Sequence, residues 1–369
     1  MNNQNTLMRL LSSLLFAIAA GIAHADDGPH ARYVGNATGQ GLDVKWLCEG
    51  KVIRKEYPLA ANAKLEPVCG FSQSITVRED NAVFPAPVKF QAKKLAAISD
   101  IHGQYGSMKK LLQAHGIIDQ NLAWSFGDGH LVITGDVFDR GEHVTEALWL
   151  LYALDAQAKA AGGAVHMLLG NHEAMVMAND LRYVNPQYLA VAQTLGLTYP
   201  EIFDNQSVLG RWLRSKPVIV QVNDSLFMHA GLHPDYVSLK MSVSEVNEHF
   251  RRSLGLAKSE IKQDDTLAFL YGKLGPIWYR GYFNAPLLEA SELDKVLEQL
   301  QVSRIVVGHT TMSGVFSHYR GKVISIDGDM QRGKVGEVLL IENGNLSRGT
   351  LNGERLPIPE FSGRASAFE

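Results

Sequence analysis

An apolar run from Ala164 to Leu169 stops abruptly at Gly170-Asn171-His172-Glu173, and the same event recurs four more times along the chain. Leu95-Ala96-Ala97-Ile98 runs into Ser99-Asp100-Ile101-His102-Gly103-Gln104, and Leu131 to Thr134 runs into Gly135-Asp136-Val137-Phe138-Asp139-Arg140-Gly141. Ser225 to Met228 ends in His229-Ala230-Gly231-Leu232, and Arg304 to Val307 ends in Gly308-His309-Thr310. Short apolar runs closed by glycine and polar groups read as buried strands that deliver side chains to one rim. Helical patterns separate the first three, Ser107 to His115 stopped by Gly116 and Val144 to Lys159 stopped by Gly162-Gly163. The wiring is βαβαβ, which calls for a layered α/β fold with polar groups at the carboxyl ends of the strands.

Further along, Glu173 to Lys216 reads as helices whose Tyr183, Tyr188 and Tyr199 would suit a lid. Val218 to Val222 and Ser225 to Met228, joined by Asn223-Asp224, read as a hairpin. Helical patterns cover Val243 to Leu254, Asp264 to Tyr271 and Pro286 to Leu300, and strands return at Arg304 to Val307, Lys322 to Ile326 and Val335 to Ile341. Residues 26–93 alternate apolar and polar positions, as in Gly41 to Leu47 and Ser74 to Arg78, and predict a small N-terminal β domain closed by Pro85-Ala86-Pro87. Its expected role is structural. Residues 94–345 form the expected catalytic domain and 346–369 a C-terminal extension, of which the stretch from Leu356 onward is expected to wrap the surface or fray.

Arg9 precedes a 14-residue apolar run, Leu10 to Ala23, that ends in Ala23-His24-Ala25. This is the pattern of a signal peptide, residues 1–25, cleaved after Ala25, and the run is short of the roughly 20 residues needed to span a bilayer. The expectation is an exported, periplasmic protein with no stable membrane insertion. Charge is nearly balanced, 35 basic against 38 acidic residues, which argues against a nucleic-acid partner. Cys48 and Cys69 are the only cysteines. In an oxidising compartment they are expected to pair, two buried thiols being the alternative.

The strand ends together supply Asp100, His102, Asp136, Asn171, His229 and His309. Mixed nitrogen and oxygen donors suit zinc, iron or manganese. Six donors exceed what one catalytic ion with an open position takes, whereas two ions sharing a carboxylate account for them, with Asp136 the best candidate bridge. Arg140, in the Asp136 segment, has the planar fork that suits phosphate oxygens.

The ordered set Asp-x-His-Gly-Gln, Gly-Asp-x-x-Asp-Arg-Gly, Gly-Asn-His-Glu, His-Ala-Gly and Gly-His resembles the phosphoprotein phosphatase family of calcineurin-like metallophosphoesterases, over about Leu95 to Leu340. Gly308-His309-Thr310-Thr311, Trp278-Tyr279-Arg280-Gly281 and the signal peptide are most similar to the bacterial Shewanella-like branch, which includes enzymes acting on phosphotyrosine. His229-Ala230-Gly231 departs from the His-Gly-Gly of eukaryotic members, so serine/threonine specificity is not carried over. The resemblance implies a metallophosphatase fold of two facing mixed β-sheets flanked by helices. It implies that Asp100 and His102 hold a first metal, that Asp136 bridges, and that Asn171, His229 and His309 hold a second. Arg140 and Arg280 would grip the phosphate, and His172, oriented by Asp139, would protonate the leaving oxygen.

The function so implied is hydrolysis of phosphomonoesters, on a phosphorylated protein, peptide or small molecule, by in-line attack of a hydroxide bridging two metal ions. A phosphodiesterase or dinucleoside polyphosphate hydrolase is the alternative among enzymes. A periplasmic metal-binding module is the alternative outside them, against which the pairing of His172 with Asp139 counts.

Overall fold

A computed structural model describes residues 26–36, 39–58, 62–69, 71, 73–78 and 87–361. The expected signal peptide, most of the Pro85-Ala86-Pro87 linker and the last residues of the C-terminal extension lie outside the described residues. Two six-stranded mixed sheets organise the chain. One carries Lys94–Ile98, His130–Ile133 and Ala164–Met167 in parallel, extended on the other side of Lys94–Ile98 by Glu337–Glu342, Asn345–Thr350 and Arg355–Leu356, all antiparallel. The other is ordered Phe316–His318, Val323–Ser325, Arg304–Val307, Ser225–Met228, Ile219–Val222 and Lys89–Phe90. Its central three strands run parallel, and the expected hairpin pairs Val222 with Ser225.

Strand alternation divides the apolar side chains between two clusters. Leu95, Ala97, Val132, Val220, Phe227, Val306, Ile324 and Leu339 belong to the core shared by the two sheets. Their neighbours Ala96, Ile98, Leu131, Ile219, Leu226, Ile305 and Leu340 belong to the larger core with the helices. This period of two is why the strands read as continuous apolar runs: both faces are covered.

The helix Val144–Ala160 is buried almost all round, through Val144, Leu148, Trp149, Leu150, Leu151 and Leu154 among others. One face packs against the strand Ala164–Met167, and its other side meets the N-terminal strands. Those strands, Asp27–Asn36, Gly39–Cys48 and Lys51–Pro58, form an antiparallel sheet beside a two-stranded ribbon, Ala63–Leu65 with Ile75–Val77. Trp149 Nε1 donates to Pro29 O at 2.8 Å, Tyr33 N donates to Gln206 O at 2.7 Å, and Leu42, Trp46, Leu65 and Val77 share the helical core. The N-terminal β residues therefore cover an apolar helix face that would otherwise meet solvent.

Two expected boundaries fall inside sheets. Lys89–Phe90 pairs with Gln221 and Val222, before residue 94, and the hairpin of Glu337–Glu342 with Asn345–Thr350 spans residue 345/346. Residues 346–356 thus continue the sheet, because the strand Glu337–Glu342 takes an antiparallel partner on each side. Cys48 and Cys69 are bonded, with Cα atoms 5.4 Å apart and 21 residues of separation. The unreduced, denatured protein should show no titratable thiol, and Cys48→Ser should lose about 3 kcal/mol of unfolding free energy in a urea titration, the value for closing a loop of about this length.

Candidate metal centre

Three of the five strands that carry site residues run into left-handed backbone. Asp100, His102, Asp136, Asp139, Arg140 and His309 all have positive φ, between 46° and 70°. Such non-glycine backbone costs roughly 1 kcal/mol or more per residue and persists only where surrounding bonds hold it. Here the bonds are visible. Glu173, 0% exposed, accepts from Gly170 N and Asp136 N through Oε2 (2.7 and 2.9 Å) and from Val137 N and Phe138 N through Oε1 (2.7 and 3.3 Å). Gly170 is needed for a close approach, since a Cβ there would collide with the Asp136 carboxylate, and at Gly308 one would collide with Ser99 and Asp100.

The six expected ligands meet in one buried cluster centred on Asp136. Asp136 Oδ2 lies 3.1 Å from His229 Nε2 and 3.7 Å from both His102 Nε2 and His172 Nε2. His229 Nε2 is also 2.8 Å from Asn171 Oδ1 and 3.0 Å from His309 Nδ1. Asp100 Oδ1 is 3.9 Å from His102 Nε2, while its Oδ2 accepts from His309 N at 2.9 Å and from Ser99 Oγ. Two groups, His102 with Asp136 and His172, and Asp136 with His229 and His309, are compact enough to hold a metal ion, and they share Asp136.

The imidazoles differ in what holds their far side. His229 Nδ1 donates to Thr134 O at 3.0 Å and His102 Nδ1 donates to Phe138 O at 2.7 Å, so in the neutral ring each turns a bare Nε2 to the cluster. This backbone support is the usual outer shell of metal-binding histidines. His172 Nδ1 instead donates to the Asp139 carboxylate at 2.6 Å.

Charge in the cluster calls for a cation. Burial holds His102 and His309 well below the usual imidazole range, which keeps them neutral. Burial also lowers His229, but Asp136, Asp100 and Glu173 outweigh it and leave the ring pushed up to about 9. A bare Nε2 of His229 would face the acceptor oxygens of Asp136 and Asn171 as well as His309 Nδ1, an arrangement that a shared positive charge relieves. A proton serves in the protein alone, and a divalent ion fits the same donor set.

The two arginines stand at the edge. Arg140 is exposed, with its guanidinium 5.9 Å from the Tyr183 ring, and Arg280 is half-buried, donating to His309 O at 2.8 Å. Of the expected lid tyrosines only Tyr183 reaches the site. Tyr188, on the helix Pro186–Leu195, and Tyr199, in the turn before Pro200–Phe203, are buried in the core and stack on each other.

The sequence marks Glu173 as a supporting or helix-capping residue and Trp278 as a packing residue beside Arg280, and Asp327 escapes it. Glu173 organises two loops rather than only capping a helix. Asp327 follows the strand Val323–Ser325 as the other site residues follow theirs, accepts from Thr311 Oγ1 at 2.8 Å, and is held well above the usual carboxyl range by burial and by Asp100. Trp278 lies edge-on to His309, ring centroids 5.7 Å apart.

A pair of facing mixed sheets with such a His/Asp cluster at the strand ends defines a metal-dependent hydrolase. The chain belongs to the calcineurin-like phosphoesterase family, whose model matches residues 93–312, more than half of its length. It is 37% identical to the cold-active protein-tyrosine phosphatase of a psychrophilic Shewanella species, whose crystal structure superposes with a TM-score of 0.84 over 90% of this chain and 98% of that one. It is 32% identical over 256 residues to an uncharacterised protein of Schizosaccharomyces pombe, covering 65% of this chain and 74% of that protein. It is 30% identical over 223 residues to Shewanella-like protein phosphatase 1 of Plasmodium berghei, covering 59% of this chain and 61% of that protein. The protein is a phosphatase of the metallophosphoesterase type. Among the described residues no helix is long and apolar enough to cross a membrane.

Removing the Glu173 carboxylate leaves four buried N–H groups without an acceptor. Glu173→Ala should therefore cost at least about 3 kcal/mol in urea denaturation. It should also lower bound metal in the folded protein, measured by elemental analysis, because the Asp136 loop and Asn171 lose their common anchor.

Proposed function

We propose that this chain hydrolyses phosphomonoesters on proteins or peptides, with phosphotyrosine as the preferred class. The observation that carries this reading is the His172–Asp139 pair, a carboxylate-supported imidazole set beside a cluster whose other histidines rest on backbone carbonyls. The likeness to a protein-tyrosine phosphatase across nine-tenths of the chain supports the substrate class.

Asp100, His102 and Asp136 would hold one divalent ion, and Asp136, Asn171, His229 and His309 a second. Bound there, zinc, iron or manganese would supply positive charge opposite the phosphoryl oxygens and acidity for a water. Arg140 and Arg280 orient the phosphoryl group and meet the charge that gathers on its oxygens. The Arg280 guanidinium is fixed for this by its bond to His309 O, so it needs no reorganisation when substrate arrives. As a water oxygen bonds to phosphorus and the ester P–O bond opposite it breaks, the leaving oxygen takes that bond's electron pair and the Nε2 proton of His172. Asp139, hydrogen-bonded to Nδ1, keeps that ring protonated and correctly turned.

Burial lowers the pKa of His172, but the Asp136 charge and the Asp139 bond outweigh it, and the net shift is upward. The acid form therefore survives to higher pH than a free imidazole, and activity should fall as pH rises through that raised value. His172→Asn should lower kcat by about 10²- to 10⁴-fold, abolish that alkaline limb and leave metal content unchanged. Asp136→Asn should do the reverse and empty the site of metal. Loss of metal in His172→Asn would overturn the division of roles.

The N-terminal pattern ending at Ala25 and the Cys48–Cys69 bond support export to an oxidising compartment such as the periplasm. Substrate class is tested by kcat/KM on matched peptides carrying phosphotyrosine, phosphoserine or phosphothreonine, beside a phosphodiester and a dinucleoside polyphosphate. Phosphotyrosine should lead. Equal rates on the three peptides would remove the tyrosine preference, and faster phosphodiester or dinucleotide cleavage would replace the phosphomonoesterase reading.

A further inference from the structure

Two aromatic side chains border the cluster on different sides. Trp278 stands against His309, and Tyr183 against His172, with ring centroids 5.2 Å apart and planes inclined by 50°. His172 Nδ1 is occupied by Asp139, so the proton it gives up leaves through Nε2. The leaving oxygen must come within hydrogen-bond reach of that atom, and whatever that oxygen carries lies one bond further out. Of the two aromatics, Tyr183 is the one beside the departing group.

The Tyr183 ring is fixed without being covered. Its carbonyl accepts from Arg140 N at 2.9 Å, which ties it to the segment that carries Asp139. The Arg140 and Arg182 guanidinium carbons lie 5.9 and 5.5 Å from the ring centroid, and Arg182 is itself clamped to Asp180 by bonds of 2.7 and 2.8 Å. The residue is nevertheless 46% exposed, while Tyr188 and Tyr199 are buried. A large ring held in place by cations and left open beside the proton donor has surface free for another ring.

We infer that Tyr183 is a specificity-determining residue, whose ring offers a stacking surface to the aryl leaving group of a phosphotyrosine-type ester. The inference rests on the phosphomonoesterase reading above. The alkyl oxygen of phosphoserine or phosphothreonine brings no ring to this surface. Tyr183 neither gives nor takes the proton in the reaction. Stacking of this kind favours the aryl ester by about two- to tenfold in binding, and because it is made equally in the ground and transition states it appears in KM rather than kcat.

The test compares the wild-type metalloenzyme with Tyr183→Leu and Tyr183→Phe on two peptides that differ only in carrying phosphotyrosine or phosphoserine, and on phenyl phosphate against an alkyl phosphate. Tyr183→Leu should raise KM for both aryl esters by about two- to tenfold relative to the alkyl esters, while Tyr183→Phe keeps the wild-type ratio. Equal changes on aryl and alkyl esters, no change, or loss of metal in Tyr183→Leu would each overturn the inference. A wild-type enzyme with no tyrosine preference would sink the substrate reading separately, because the readout here is the variant's aryl-to-alkyl ratio against that of the wild type.

Discussion

Glu173 has two oxygens, and between them they receive the backbone N–H groups of Asp136, Val137, Phe138 and Gly170 in a site closed to water. A buried carboxylate is tolerable only when its lone pairs are filled, and buried amides only when they find acceptors. Each side of this contact thus requires the other. The consequence is that the loop after the strand His130–Ile133 and the helix start after Ala164–Met167 are locked at one separation. That separation sets Asp136 against Asn171 and His172, and His172 against Asp139. The left-handed backbone at Asp136, Asp139 and Arg140 is affordable because this anchor over-determines it.

The same economy of partners distinguishes the histidines. His102 and His229 lean on carbonyls, which fix a tautomer and present a bare nitrogen without adding charge. His172 leans on a carboxylate, which raises its basicity and keeps a proton available. Two kinds of support thus stand behind chemically identical rings within a few ångströms, the division on which the proposed roles of cation binding and proton donation rest.

Away from the site, the two sheets and the N-terminal strands solve one packing problem. Strands apolar on both faces need a sheet on one side and helices on the other, and the helix Val144–Ala160, apolar all round, needs a second cover. The N-terminal sheet and the ribbon beside it supply that cover through Pro29, Trp46 and Val77, and Cys48–Cys69 staples the sheet near its edge. It packs on that helix, whereas the cluster lies at the strand ends.

The sequence by itself determined the five strand ends, their order, the βαβαβ wiring and the six polar residues that meet in the cluster, because apolar runs and the polar residues that stop them are local properties of the chain. It also pointed to Cys48–Cys69 and to the hairpin across Asn223-Asp224. Other features were decided only by tertiary structure. Glu173 sits beside Asn171 in sequence, yet its work is done on amides of residues 136–138, some 35 positions earlier. Asp327 matters through its proximity to Asp100 and Thr311, and Tyr183 differs from Tyr188 and Tyr199 only in which way its segment faces. Residues 346–356 belong to the sheet because Glu337–Glu342 stands beside Lys94–Ile98 and leaves its other edge to be paired. Local pattern specifies what a segment can be, and long-range contact, which no local pattern encodes, specifies what it touches.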